Sequence, residues 1–292
     1  MRFIQFSAAK LNLSLRVTNK RHDGYHDIVS LFLRLPAVET LAISRSDHAA
    51  DFARTRGVEI EGENIVSRAL RLTREVGLDI PFLDVEISKT IPPGSGLGAG
   101  SGNAATVLSW LAEASEATKT VKVTKNAELE KWHAAALKTG ADVPFLFSRH
   151  PLALVSGIGE VLEPLAPLKL CASIVFPEWS VGTENAYLQL DYWHGEKYPL
   201  SDDEARNEAL ALHKKLLAKE HIGLLPNDFA PMLIEKFPDY LDLFNIFDKS
   251  GHIAWGITGS GGAAFALSDD ALPSLAFDWP SWARQVLTLD IS

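Results

Sequence analysis

The amino-acid sequence predicts an α+β protein built from two domains. Its 292 residues exceed the usual length of one domain, and 47% hydrophobic against 22% charged residues supplies enough apolar material for full cores. Residues Leu11–Thr18 alternate strictly between apolar and polar, which is the period of a half-buried strand. The segment Ser201-Asp-Asp-Glu204 has the pattern of a capping box, which opens a helix. Strands and helices are therefore both expected.

Local patterns predict the elements of the first half of the chain. A turn at Asp23–Gly24 separates the first strand from the next apolar run and indicates a hairpin with an elaborated loop. Asn64 can cap a helix that ends at Glu75, with Gly77 just beyond it. The other predicted elements are strands at 28–35 and 82–88 and helices at 103–117 and 126–138.

The second half is expected to form a separate domain, which gives predicted domains at 1–150 and 151–292. A second glycine cluster, Gly259–Gly262, lies between its last two predicted strands. Pro238 is expected to interrupt one of its helices. The predicted elements are strands at 152–156, 170–176, 253–257 and 263–268 and helices at 201–218 and 230–244.

Charge and cysteine content narrow the possible functions. The formal net charge is −9, so the extended basic surface that non-specific nucleic-acid binding needs is not expected. The single cysteine, Cys171, excludes an intrachain disulfide and a cysteine-based zinc site, and it falls in a predicted buried strand. No apolar run of 18 residues is present. We expect a cytoplasmic monomer or weak homodimer that binds neither nucleic acid nor membrane.

A glycine-rich loop at residues 92–105 carries the strongest functional signal. It reads Pro-Pro-Gly-Ser-Gly-Leu-Gly-Ala-Gly-Ser-Gly-Asn-Ala-Ala and joins a predicted strand to the start of a predicted helix. Glycines let the backbone turn its N–H groups inward, and the helix dipole adds partial positive charge, so phosphate is the expected occupant. A flexible surface linker is the alternative, although Leu97 within the loop indicates a packed conformation.

Other phosphate and nucleophile motifs do not fit this loop. The Walker A motif requires a lysine, and none lies between Thr90 and Thr118. The Gly-x-Gly-x-x-Gly spacing of dinucleotide-binding folds fails in every frame. The Gly-x-Ser-x-Gly pattern of serine hydrolases is absent as well. The loop therefore belongs to another class of phosphate site.

The loop resembles that of the GHMP kinase superfamily, which has the form Pro-x3-Gly-Leu-Gly-x-Gly/Ser-Ser and is matched by Pro92–Ser101. The segments Ala8–Leu13, Asp23–His26 and Gly140–Phe145 are similar to one branch of that superfamily, and Thr258–Gly261 resembles its third motif. These motifs extend over most of the chain in the family's order. Four positions depart from the family's usual residues, and each replaces one small residue with another: Ser95, Ala99, Gly102 and Thr258.

The resemblance implies an ATP-dependent kinase that phosphorylates a hydroxyl group of a small molecule, with a GHMP ATP-binding domain at 1–150 and a GHMP C-terminal domain at 151–292. It implies that Asp142 is the catalytic base and that Lys10 lies beside it, holding the carboxylate and lowering the pKa of Asp142 or of the attacking hydroxyl. In the alternative interpretation, Asp142 caps a helix or turn before Pro144 and Lys10 is a solvated strand residue.

The resemblance also implies residues that bind ATP with Mg²⁺. Asn64 and Lys89 are implied for the adenine, although a helix cap explains Asn64 equally well. The residues implied for the phosphates are Pro93, Gly94, Ser95, Gly96, Leu97, Gly98, Ala99, Gly100, Ser101 and Gly102.

The branch with the Asp-Gly-Tyr-His segment implies an acceptor that carries a cytidine diphosphate group. An aromatic face can stack on a base and an imidazole can hydrogen-bond to it, so Tyr25 and His26 are implied for the cytosine. Tyr187 is implied for the other aromatic side, and Asn12 and Thr183 for the rest of the acceptor. The alternative is a tyrosine that anchors the hairpin beside a solvent-facing histidine.

Two other functions remain open from the sequence. A GHMP kinase for homoserine, mevalonate or a sugar would not need Tyr25 and His26, and a nucleotide-binding protein without catalysis would not need both Lys10 and Asp142. We expect no dedicated metal site, because the turn between His22 and His26 is incompatible with the helix that a zinc-binding pair would use.

Overall fold

The computed structural model describes residues 1–58, 62–118, 125–195, 198–270 and 279–291. Within them the chain forms eight helices and eleven strands, which confirms the mixed α+β class. The strands are β1 (Arg2–Lys20), β2 (His26–Arg45), β3 (Phe52–Arg56), β4 (Leu83–Ser88), β5 (Leu152–Gly157), β6 (Val161–Pro164), β7 (Cys171–Pro177), β8 (Gly223–Leu224), β9 (Ala254–Ile257), β10 (Ala264–Ser268) and β11 (Ala283–Asp290). The helices are α1 (Ile65–Glu75), α2 (Ala99–Thr118), α3 (Lys125–Thr139), α4 (Val143–Ser148), α5 (Thr183–His194), α6 (Asp202–Leu217), α7 (Ala230–Lys236) and α8 (Asp239–Lys249).

The chain divides into two compact units, each made from three separate stretches. Unit 1 comprises Met1–Lys10, Pro36–Pro93 and Gly98–His150, and unit 2 comprises Leu11–Leu35, Gly94–Leu97 and Pro151–Ser292. The strands β1 and β2 and the glycine loop each contribute residues to both units. The assignment of one domain to 1–150 and another to 151–292 stays a prediction.

Unit 1 combines a sheet with four helices. The second half of β2 pairs antiparallel with β4, and β3 pairs parallel with β4. Helix α1 packs on α2 and α3, and α2 packs on α4. The apolar side chains at their contacts are fully buried, among them Val66, Leu70, Val107 and Leu108. This core supports the start of α2, where the glycine loop ends, and the start of α4, which Asp142 directly precedes.

Unit 2 is built around the strand β7. Its sheet has the order β11-β7-β10-β9-β8, and every residue of β7 and β10 is buried. The first half of β2 pairs antiparallel with β5, which in turn pairs with β6. Cys171 lies on β7 and is buried, as the sequence predicted. No helix in the described ranges has the length and apolarity needed to span a bilayer.

The prediction that the first strand is half buried is wrong. Both faces of β1 are covered between Leu11 and Leu15. Its polar side chains are buried because they hydrogen-bond within unit 2: Asn12 Nδ2 donates to Ser30 Oγ at 3.0 Å, and Ser14 Oγ accepts from the Leu31 N–H at 3.2 Å. Paired polar groups can be buried at little cost, so alternation alone does not reveal exposure.

Candidate active site

The second half of the glycine loop forms the start of α2 in unit 1. Helix α2 begins at Ala99, four residues before the predicted start, and the Gly102 N–H donates to the Gly98 carbonyl at 2.9 Å. A Cβ at Gly102 would lie 1.8 Å from the Ala8 carbonyl oxygen, so glycine is required there by close packing on β1. The first N–H groups of this helix have no partner within the helix, and such groups are suited to binding an anion.

Lys10 and Asp142 lie together in unit 1. The distance from Lys10 Nζ to Asp142 Oδ2 is 3.8 Å, and the two side chains are 6% and 27% exposed. Burial lowers the pKa of Lys10, and the attraction of Asp142 opposes that effect only in part. A Cβ at Gly98 would lie 2.8 Å from Asp142 Oδ2 and 3.4 Å from Lys10 Cε, so the loop backbone lies directly against this pair.

The position of Asp142 bears on its alternative role as a helix cap. Asp142 directly precedes α4, but in the described structure its side chain makes no capping hydrogen bond. The carboxylate instead faces Lys10, and Lys10 is buried on β1 and is not the solvated residue of the alternative interpretation. A partly exposed carboxylate beside a buried ammonium is suited to accept a proton from a bound hydroxyl group.

Glu39 is a buried carboxylate that organises both ends of the glycine loop in unit 1. Its side chain is 0% exposed, and Lys89 Nζ lies 2.8 Å from its Oε1. The N–H groups of Thr90 and Ile91 donate to Oε1 at 3.3 and 3.0 Å, and Asn103 Nδ2 donates to Oε2 at 2.8 Å. One carboxylate therefore binds residues on both sides of the loop, and Lys89 is held in an ion pair.

Asn64 caps α1, as the alternative interpretation of this residue proposed. Its Oδ1 accepts a hydrogen bond from the Val66 N–H at 2.9 Å, which satisfies one of the free donors at the helix start. The implied contact of Asn64 with adenine stays a prediction.

The first half of the glycine loop lies in unit 2, against the second glycine cluster. The Ala263 N–H donates to the Ser95 carbonyl at 3.0 Å. A Cβ at Gly96 would lie 2.4 Å from the Thr258 carbonyl oxygen, and a Cβ at Gly262 would lie 2.6 Å from that of Gly94. The glycines allow two backbone segments to touch. Leu97 is fully buried, so this part of the loop is packed, as its sequence indicated.

Asn12 and Thr183 take part in polar contacts next to the second glycine cluster. The Asn12 N–H donates to Thr258 Oγ1 at 3.0 Å, and Ser260 Oγ lies 3.3 Å from Thr183 Oγ1. Asn227 Nδ2 donates to the carbonyls of Ile257 and Gly259, at 2.8 and 3.0 Å, and so fixes the backbone on both sides of Thr258.

His26 and Tyr187 form a stacked pair in unit 2. Their ring centroids are 4.7 Å apart with an interplanar angle of 29°. The resemblance implied that Tyr25 and Tyr187 face the same base. In the structure the Tyr187 ring stacks on His26, and Tyr25 is 58% exposed. An exposed aromatic ring such as that of Tyr25 offers a face on which a nucleobase can stack.

Asp191 on α5 holds His26 from the other side. Its Oδ1 lies 2.7 Å from His26 Nε2 and 2.5 Å from the Tyr198 hydroxyl, and its Oδ2 lies 2.6 Å from Lys20 Nζ. Burial acts to raise the pKa of Asp191, but the hydrogen bonds from Lys20, Tyr198 and His26 outweigh it and lower the pKa to about 2. The carboxylate is therefore ionised throughout the physiological pH range.

Comparison with known proteins agrees with this arrangement. The family model for the GHMP kinases N terminal domain matches residues 64–149. A 4-diphosphocytidyl-2-C-methyl-D-erythritol kinase from Pelodictyon phaeoclathratiforme is 32% identical, over 92% of this chain and 91% of that protein. The chain belongs to the 4-diphosphocytidyl-2-C-methyl-D-erythritol kinase family of the GHMP kinases. The enzyme of the same name from Thermotoga maritima is 35% identical over 89% of this chain and 90% of its own length.

Solved structures support membership of this kinase family. The fold matches that of a 4-(cytidine 5′-diphospho)-2C-methyl-D-erythritol kinase with a TM-score of 0.73 and 26% identity, over 98% of both chains. A homoserine kinase from Cytophaga hutchinsonii matches with a TM-score of 0.57 and 18% identity, which extends the shared fold to other GHMP kinases. The expected GHMP kinase fold is thus confirmed, and the chain is an ATP-dependent kinase.

Several residues of this kinase that act around the predicted site were missed from the sequence. Glu39 lies outside every element predicted from the sequence, and Asp191 stands in a stretch with no recognised pattern. Lys20, Asp191 and Tyr198 each carry a group that can hydrogen-bond to a histidine or to one another. That shared chemistry was the only signal in the sequence that they could meet. Their separation along the chain hid the network.

Proposed function

We propose that this chain transfers the γ-phosphoryl group of ATP to the 2-hydroxyl of 4-diphosphocytidyl-2-C-methyl-D-erythritol, a step of non-mevalonate isoprenoid precursor synthesis. The observation that carries the proposal is the Lys10–Asp142 pair against Gly98 of the phosphate loop, in a chain about one-third identical to kinases of that name. Phosphoryl transfer depends mainly on positioning and on charge stabilisation, for which this arrangement is suited.

In the proposed mechanism, Asp142 accepts the proton of the attacking hydroxyl. Lys10 lies 3.8 Å from the carboxylate and orients it, and its ammonium group stabilises the negative charge that develops on the hydroxyl oxygen. Because Lys10 is buried, water screens its charge only weakly. Its electrostatic effect on the reacting oxygen is correspondingly large.

The nucleotide phosphates are proposed to bind the glycine loop. Positive φ angles at Gly94, Gly96 and Gly98 turn successive peptide groups, which is the backbone form of an anion-binding nest. Asn64 and Lys89 are proposed to line the adenine side, although each has a structural partner in unit 1. The residues proposed for the phosphates are Pro93, Gly94, Ser95, Gly96, Leu97, Gly98, Ala99, Gly100, Ser101 and Gly102.

Magnesium is proposed to enter as the Mg–ATP complex. Among the described residues, no group of three or more His, Cys, Asp or Glu side chains is placed to hold a metal ion. Mg²⁺ in kinases commonly retains water and binds largely through substrate phosphates, so the ion would be held by the phosphates at the loop while Asp142, against Gly98, stays free to act as the base. Bound there, the ion would neutralise charge on the phosphate oxygens.

The acceptor is proposed to bind residues of unit 2. Tyr25 and Tyr187 would stack on the cytosine and His26 would hydrogen-bond to it, while Asn12 and Thr183 would lie near the methylerythritol phosphate. The exposed Tyr25 ring supports the base site, whereas the Tyr187 ring is stacked on His26 and would border the base through that pair. Asn12 is buried and already bonded to Thr258 and Ser30, so its effect on the acceptor would be through positioning.

For assembly and compartment, we propose a cytoplasmic monomer or weak homodimer that binds a small-molecule acceptor and no nucleic acid or membrane. The acidic net charge argues against nucleic-acid binding, and a single cysteine fits a reducing compartment. The Arabidopsis thaliana relative, 36% identical over 63% of this chain and 48% of its own length, is named as chloroplastic. Sedimentation of the purified protein and fractionation of its native cells test both points.

The proposed activity is tested by measuring ADP release from Mg–ATP with each of four acceptors. These are 4-diphosphocytidyl-2-C-methyl-D-erythritol (the cytidyl methylerythritol acceptor), homoserine, mevalonate and galactose. We expect turnover with the cytidyl acceptor alone and a product phosphorylated at position 2 by ³¹P NMR. Turnover with only another acceptor would overturn the substrate assignment. ATP binding with no turnover on any acceptor would overturn the proposed catalysis.

A further inference from the structure

The proposed function leaves open how one imidazole distinguishes cytosine from uracil. The two bases differ at position 4, where cytosine carries an amino group that donates and uracil a carbonyl that accepts. A neutral histidine ring has one N–H donor and one acceptor nitrogen, so the tautomer decides which base it favours. The hydrogen-bond partner of one ring nitrogen sets the state of the other.

We propose that Asp191 is a positioning residue that fixes the tautomer of His26 and thereby makes the base site specific for cytosine. This inference rests on the proposed function. The carboxylate oxygen 2.7 Å from His26 Nε2 can only accept when ionised, so Nε2 carries the proton. Nδ1 of the neutral ring is then an acceptor, which suits the amino group of cytosine and repels the carbonyl of uracil.

The surroundings of Asp191 keep it ionised and in place. Lys20 Nζ and the Tyr198 hydroxyl both donate to the carboxylate, at 2.6 and 2.5 Å. Burial and the hydrogen bond to Asp191 raise the pKa of Tyr198, so this hydroxyl stays a donor. On the other side, the ring of Tyr187 stacks on His26 and restricts its rotation. The imidazole is thus held at its Nε2 edge by the Asp191 carboxylate and against one face by the Tyr187 ring.

Replacing Asp191 with asparagine should reverse the hydrogen-bonding pattern of the His26 ring. The side-chain amide can donate to Nε2 through its NH₂ group, which places the ring proton on Nδ1 and turns that atom into a donor. A site built around one hydrogen-bonding pattern rejects the opposite pattern strongly. We therefore expect Asp191→Asn to lower the ratio of kcat/KM for the cytidine acceptor over its uridine counterpart by about 10- to 100-fold.

The experiment measures that ratio for the wild type, Asp191→Asn and the matched variant Asp242→Asn, an exposed residue of α8 in the same unit. The cytidine-to-uridine ratio of kcat/KM should fall only in Asp191→Asn. The change should appear in KM more than in kcat. An unchanged ratio in Asp191→Asn would overturn the inference. Failure of the wild type to use the cytidine acceptor would instead overturn the proposed function beneath it.

A second measurement depends neither on turnover nor on the folding of Asp191→Asn. The ¹⁵N shifts of the histidine rings in the wild-type protein report which nitrogen carries the proton, with His26→Gln used to assign the signal. We expect the Nε2–H tautomer for neutral His26. A neutral ring protonated on Nδ1 would overturn the inference whatever the kinetics show.

Discussion

Gly98→Ala is expected to damage catalysis far more than folding. The new Cβ would lie 2.8 Å from Asp142 Oδ2, whereas ordinary contacts begin near 3.4 Å, so the carboxylate must move by about 0.6 Å. Misplacing a reacting group by about 1 Å costs roughly 10²-fold, and we therefore expect kcat to fall by about 10- to 100-fold. The φ of +64° adds a backbone strain of about 1–2 kcal/mol.

The matched control is Gly251→Ala, which imposes similar backbone strain without a contact. Gly251 has φ +80°, and a Cβ there meets no atom within 4 Å. Both variants should lose a few degrees of melting temperature, about 2–4 °C per kcal/mol, and only Gly98→Ala should lose kcat in the ADP-release assay. The reasoning is refuted if Gly98→Ala keeps kcat within twofold of wild type, or if Gly251→Ala loses as much.

Three further changes test other parts of the structure. Glu39→Gln leaves Lys89 as an uncompensated buried charge, so the free energy of unfolding should drop by about 3–5 kcal/mol in urea titrations; a drop below 1 kcal/mol would contradict that account. Burial lowers the pKa of Lys10, and the proposed mechanism needs its charged form. As the pH rises, kcat should therefore begin to fall before the pH reaches the ordinary lysine pKa of about 10.4. A profile flat to about pH 10.5 would argue against this role. Tyr240→Phe removes the 3.1 Å hydrogen bond to the Gly262 carbonyl and should cost about 1–3 kcal/mol in thermal unfolding, and an unchanged melting temperature would count against it.

Much of the fold followed from local patterns. The capping box at Ser201 and the Asn64 cap both appear as predicted, because a cap is decided by residues within one turn. The helices α7 and α8 are separated at Phe237–Pro238, where the proline was expected to interrupt. Elements whose bounds depend on tertiary contacts were missed, among them α4, which has six residues and is too short to show a period.

The candidate site was predictable where one segment carries the chemistry and not where distant segments meet. The glycine spacing identified the phosphate loop, and the resemblance paired Lys10 with Asp142, which the structure places 3.8 Å apart. The roles of Glu39 and Asp191 depend on partners far along the chain: Asp191 lies 165 residues from His26. A single sequence gives no physical signal for such pairings, because each residue alone is typical of a solvated surface.

The central claim is that this chain is a kinase for the cytidyl methylerythritol acceptor with Asp142 as its base. The most direct measurement is the steady-state rate of product formation with Mg–ATP and that acceptor, in the wild type and in Asp142→Asn at equal folded concentration. We expect wild-type turnover and a loss of about 10²- to 10⁴-fold in kcat in the variant, with a smaller change in KM for ATP. Wild-type turnover that persists within tenfold in Asp142→Asn would contradict the account of the base, and no wild-type turnover would contradict the function.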